Sequence, residues 1–111
     1  MKIITENKGS YKTIRLEGRL DTKAVADKEA DILTLLEEDI ENYLIDCGKI
    51  DYISSSGLRV FLKLQKQISA RQAKLILHSM PPNIYDIFKI CNFTALFTIV
   101  DDAEEAKKVI Q

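Results

Sequence analysis

Apolar and polar positions alternate weakly from Lys2 to Glu6 and again from Tyr11 to Glu17, where Ile14 and Leu16 share one face. Between these runs, Asn7-Lys8-Gly9-Ser10 supplies turn chemistry, with a glycine free to take positive φ. Two short runs around a tight turn predict a β-hairpin. The period then lengthens. Asp21-Thr22 offers a helix N-cap, and Val25 or Ala26, Ala30, Leu33, Leu36 or Glu37, and Ile40 follow at helical spacing. Asn42 to Cys47 is short, apolar and bounded by Gly48, which predicts a buried strand; Lys49 to Ser55 reads as a loop. From Gly57, the residues Leu58, Phe61, Leu62, Leu64 and Ile68 recur at helical intervals, with Lys63, Gln65, Lys66 and Gln67 on much of the other face. This is the clearest amphipathic helix in the chain. Lys74 to His78 predicts a second buried strand, ended by Ser79-Met80-Pro81-Pro82. Pro82 can open a helix in which Ile84, Ile87, Phe88 and Cys91 stand at i, i+3, i+4 and i+7. Phe93 to Val100 contains the last strand, and Asp101-Asp102 can cap a final helix through Val109.

The predicted order is β-β-α-β-α-β-α-β-α. Strands alternating with helices imply a largely parallel sheet with right-handed crossovers, and the opening hairpin adds one antiparallel strand. The expected fold is therefore a single α/β domain over residues 1–111, with a mixed, largely parallel β-sheet packed with helices.

Composition narrows the function. A chain of 111 residues that is 46% hydrophobic and 30% charged can bury one core, which argues against disorder. Sixteen Lys and Arg against seventeen Asp and Glu leave a net charge of −1, which supports neither nucleic-acid binding nor a polybasic membrane anchor. No apolar run approaches the roughly 18–20 residues that span a bilayer, and an acid stands where a signal peptide would begin its apolar region. A cytoplasmic location without membrane insertion is expected, and the balanced surface suggests a monomer. Cys47 and Cys91 show neither zinc-site nor redox spacing and read as reduced core thiols. The single histidine, His78, excludes a multi-histidine metal site within one chain and reads as structural. There is no Gly-x-Ser-x-Gly elbow, phosphate-binding Gly-x-x-x-x-Gly-Lys loop or paired-Asp motif after the first strand. Neither catalytic residue, cofactor nor metal is expected.

In parallel sheets, functional groups collect beyond the carboxyl ends of the strands. The segment after the Asn42–Cys47 strand reads Asp51-Tyr52-Ile53-Ser54-Ser55-Ser56-Gly57-Leu58-Arg59-Val60. Its serines can cap the following helix through the free N–H groups of the first turn. A phosphate at the same place would face the positive end of the helix dipole, so a modified serine could alter a surface without unfolding the domain. Tyr52 and Ile53 read as core anchors, Asp46 as a residue fixing its turn through Asx hydrogen bonds, and Arg59 as an exposed side chain one turn into the helix.

The stretch from Leu44 through Leu64, LIDCGKIDYISSSGLRVFLKL, resembles the central motif of STAS domains, the sulfate-transporter and anti-sigma-factor-antagonist modules. Gly18-Arg19-Leu20-Asp21 resembles the family motif between the second strand and first helix. In the family pattern, aromatic-apolar-Asp-Ser-Ser/Ala-Gly-Leu, the first serine after the Asp is phosphorylated. Here Tyr52 and Ile53 match the opening positions, Ser54 stands for Asp, Ser55 for the phosphoacceptor, and Ser56, Gly57 and Leu58 follow in register. The resemblance thus implies phosphorylation at Ser55, with Ser54 second and Ser56 last, since the Ser56 hydroxyl is expected to serve as the cap. It also implies a partner-binding surface of Asp21, Ser54, Ser55, Ser56, Gly57 and Arg59; Asp21 equally suits an N-cap.

The implied function is that of an anti-sigma factor antagonist. Unphosphorylated, such a protein binds an anti-sigma factor that is also a serine kinase of the GHKL ATPase type; phosphorylation releases it, and a PP2C-like phosphatase resets it. The alternatives are an unphosphorylated STAS docking subunit of a transporter or lipid-transport complex, and a nucleotide-sensing STAS module. The missing glycine loop argues against the last.

Overall fold

The computed structural model describes residues 1–36 and 39–110. Five strands form one sheet in the order β1-β2-β3-β4-β5. β1 (Lys2–Asn7) and β2 (Lys12–Leu20) form the antiparallel hairpin. Its turn places Gly9 at φ +90°, with the Gly9 N–H on Asn7 Oδ1 at 2.9 Å. β3 (Asn42–Ile53), β4 (Lys74–His78) and β5 (Thr98–Val100) continue parallel to β2. Helices α1 (Thr22–Thr34), α2 (Ser55–Ala70), α3 (Pro82–Ile90) and α4 (Ala103–Ile110) intervene or follow. Phe93–Ala95 is a single 3-10 turn.

The main core lies between the face of the sheet carrying Ile14, Leu16, Tyr43, Ile45, Leu75 and Leu77 and the three helices α1, α2 and α3. Phe61, Phe88, Phe93 and Phe97 meet there, largely edge to face, with ring centroids 5.4–6.3 Å apart. Alternation along the strands turns Leu44 and Ile76 to the reverse face, where Ala106 of α4 covers them.

Several boundaries differ from those expected. β3 does not stop at Gly48 but runs to Ile53, because its pairing with β2 extends to Ile53 while β4 reaches only Asp46. Beyond that point β3 has a neighbour on one side only. Polar residues are tolerated there, and Ile50 and Ile53 alone among residues 48–53 are buried. α1 ends at Thr34 rather than near Ile40; it buries Val25 and Ile32 and leaves Ala26 and Ala30 exposed, while Leu36 is buried in the turn that follows. Ile40 packs against the core from outside the helix, and Glu37 lies outside the described residues. Arg71, at the end of α2, donates to the carbonyls of Leu36 and Ile40, tying down the segment that follows α1.

Cys91 is exposed, not a core thiol. It caps α3, donating its N–H to Ile87 O at 3.1 Å, and Asn92 at φ +61° then turns the chain away from the helical face. Cys47, by contrast, is fully buried, and burial pushes its thiol up to about 12.

Candidate functional site

β2 and β3 end side by side, with Leu20 and Ile53 as parallel partners and both buried. Each strand passes directly into a helix, so two N-caps stand next to each other. Asp21 Oδ1 accepts the Ala24 N–H of α1 at 2.9 Å. Ser54 Oγ accepts the Gly57 N–H of α2 at 3.2 Å and donates to Leu20 O at 2.9 Å. The Ser54 N–H also reaches Leu20 O, at 2.9 Å. The turn is therefore tied to the neighbouring strand through one carbonyl.

Gly57 makes this packing possible. A Cβ on it would lie 2.8 Å from Ile53 Cγ1 and 3.0 Å from Leu20 O, closer than real contacts allow. Asp46 accepts the Gly48 N–H on Oδ1 at 2.9 Å, the Asx bond expected of it, though within β3 rather than at its end.

The three serines diverge in role. Ser54 is the cap, so the expectation that Ser56 caps the helix is corrected: α2 begins at Ser55, two residues before Gly57, and the capping oxygen must precede the first helical residue. Ser55 is exposed, and among the described residues its hydroxyl has no hydrogen-bond partner. Ser56 is half-buried and lines a shallow groove with Thr22, Ala26, Arg59 and Lys63. Arg59 is exposed, as expected. No acid occupies the first turn of this 16-residue helix, so its positive end is unneutralised by its own sequence.

Tyr52 is not a core anchor. It is 40% exposed where Ile53 is 4%, because adjacent strand residues point to opposite faces. The Arg19 guanidinium lies over its ring at 4.4 Å from the centroid and 3.7 Å from Asp21 Oδ2. Arg19 was not singled out in the sequence, although it stands inside the Gly18–Asp21 segment. The signal was pairing: Arg19 and Tyr52 are register partners across β2 and β3.

The STAS domain family model matches residues 2–106. The chain belongs to the STAS family. It is 31% identical over 91 residues to BtrV of Bordetella bronchiseptica, described as a candidate anti-sigma factor antagonist, covering 82% of this chain and 78% of that one. Its fold is that of the anti-sigma factor antagonist SpoIIAA in the unphosphorylated form, with a TM-score of 0.79 at 21% identity over 97% of this chain and 96% of the other. The phosphorylated form of SpoIIAA, a Bacillus cell-fate determinant, matches with a TM-score of 0.73 at 21% identity over 99% and 100% of the two chains. This STAS protein thus shares the five-stranded mixed sheet and four helices of that fold, and its relatives include proteins named as anti-sigma factor antagonists. Among its described residues no helix is long and apolar enough to cross a membrane.

Proposed function

We propose that this STAS protein is a cytoplasmic anti-sigma factor antagonist, acting in transcription regulation as a kinase substrate rather than as an enzyme. Unphosphorylated, it docks on an anti-sigma factor that is also a GHKL-type serine kinase, using Asp21, Ser54, Ser55, Ser56, Gly57 and Arg59. Phosphorylation of Ser55 releases it, and a PP2C-like phosphatase restores it.

The observation that carries this reading is the division of labour between Ser54 and Ser55. The Ser54 hydroxyl both accepts and donates inside the turn, whereas the Ser55 hydroxyl is exposed and uncommitted among the described residues. A phosphate on Ser55 adds a charge of about −1.5 to −2 at the positive end of α2, which the isolated domain tolerates. The same charge pressed into a surface shaped for a hydroxyl is left unpaired, at a cost of several kcal/mol. Each ~1.4 kcal/mol is tenfold in affinity, so one phosphate is sufficient to exchange partners. The relatives support this reading, since SpoIIAA has been solved in both phosphorylation states.

The test is intact-mass and tandem mass spectrometry after incubation with ATP and a GHKL-type serine kinase from the same organism. One phosphate is expected on Ser55, retained in Ser54→Ala and lost in Ser55→Ala. A phosphate on Ser54 would move the site while keeping the mechanism. An unmodified chain, with the kinase active on another substrate, would favour the transporter docking subunit instead.

A further inference from the structure

The reverse face of the sheet holds a cavity that partner docking at the serine turn does not use. α4 covers only part of that face, through Ala106 over Leu44 and Ile76. Between α4 and the β1–β2 hairpin a cavity of about 370 Å³ remains. That volume falls within the small-molecule range and is too small for a folded segment. Ile4, Tyr11 and Leu44 supply apolar surface to it, and Arg15 of β2, Lys107 of α4 and His78 of β4 supply polar groups.

The charges around it are unequally committed. Of the acids lining the cavity, Glu6 is held by Lys8 at 2.7 Å, and Asp46 Oδ1 takes the Gly48 N–H at 2.9 Å. Arg15 uses Nε on Glu17 at 2.8 Å, and among the described residues its terminal nitrogens have no hydrogen-bond partner. Lys107 meets Glu104 at 3.4 Å, a pair in which the carboxylate side chain is 79% exposed. Exposed pairs of this kind contribute little. His78 is only 4% exposed; its Nδ1 lies 2.8 Å from Ser79 Oγ, and Nε2 has no protein partner among the described residues.

From this arrangement we propose that the cavity between α4 and the β1–β2 hairpin binds a small amphipathic monocarboxylate. Its apolar body rests on Ile4, Tyr11 and Leu44, and its carboxylate lies between Arg15 and Lys107. A free phosphate would leave the apolar surface unfilled, and a cationic ligand would meet the free terminal nitrogens of Arg15 and the weakly paired Lys107. Leu44 and Asp46 belong to β3, the strand that ends at the serine turn, so an occupant here bears on the element that positions Ser54.

The experiment is titration of sodium octanoate into the ¹⁵N-labelled full chain, with octylamine and inorganic phosphate as parallel probes. Octanoate should give saturable shifts at the Thr13, Leu44, Lys107 and His78 amides, whereas octylamine and phosphate should not. Thr13→Trp, which fills the cavity from a strand position that accepts aromatic residues, should abolish binding. The double variant Arg15→Gln/Lys107→Gln, which alters no buried apolar contact, should weaken it by about tenfold or more. The proposal is overturned if octanoate gives no saturable shift, if its shifts map elsewhere, or if octylamine or phosphate binds equally. Unchanged affinity in the folded double variant overturns it too, whether or not Thr13→Trp folds.

Discussion

Two adjacent serines with the same side chain carry different burdens. Ser54 satisfies a free N–H of α2 and fastens the turn to Leu20, so Ser54→Ala should lower stability by about 1 kcal/mol, read as a fall in the urea midpoint at constant slope. Ser55→Ala removes a hydroxyl from the exposed first helical position and should stay within about 0.5 kcal/mol of wild type. Equal losses in the two variants would show that the cap is shared. The cysteines differ as sharply. Cys91 is exposed, whereas Cys47 is buried with its thiol held up to about 12, well above its ordinary value. The thiolate is the reactive species. A disulfide exchange reagent at pH 8 should therefore modify Cys91 quickly in the native protein, and Cys47 only after denaturant is added. Fast native labelling of Cys47 would mean that the sheet opens near Ile45.

At the scale of elements, legibility followed how completely local pattern determined burial. β4 and α3 were read with their observed starts, because β4 is buried on both faces and Pro82 punctuates the helix. The outer half of β3, beyond Gly48, is flanked by β2 alone, and a half-paired strand with polar residues looks like a loop in sequence. The exposure of Tyr52 and the choice of Ser54 over Ser56 as cap both depend on where that strand ends, so neither is legible from the sequence pattern. The proposed phosphoacceptor, Ser55, rests on the resemblance to a motif and not on the strand boundary. The same asymmetry has a dynamic consequence. The register between β2 and β3 shifts at Arg15/Glu17 and again at Gly18/Arg19, so the outer half of β3 is bulged as well as one-sided. Amide exchange should be faster at Lys49 and Asp51 than at Leu44 and Ile45, whose strand is paired on both sides. Uniform protection along β3 would contradict this account.

At the scale of the whole molecule, the sheet divides a large core under α1, α2 and α3 from a small one under α4, and His78 sits where the small one meets the cavity. Its ring is hydrogen-bonded to Ser79, whose N–H donates to Asp101 O at 3.1 Å, linking the end of β4 to the residues that begin α4. Burial pushes its pKa below the usual histidine range; Asp46 and Asp102 pull the other way, and Lys107 adds to the depression. Well above pH 6.5 neither the folded nor the unfolded chain protonates the ring appreciably, so stability is unaffected. As pH falls below that value, the unfolded chain takes up the proton more readily than the folded one. Stability therefore declines until the lower folded pKa is passed. The chain has one histidine, so any histidine contribution in this window comes from a single residue. Urea unfolding at pH 7.5 and pH 5.5 should show a lower midpoint at the acidic pH for wild type and a much smaller change for His78→Gln. If both proteins lose stability equally, the decline comes from carboxylates, and His78 is not the group that couples the α4 face of the sheet to pH.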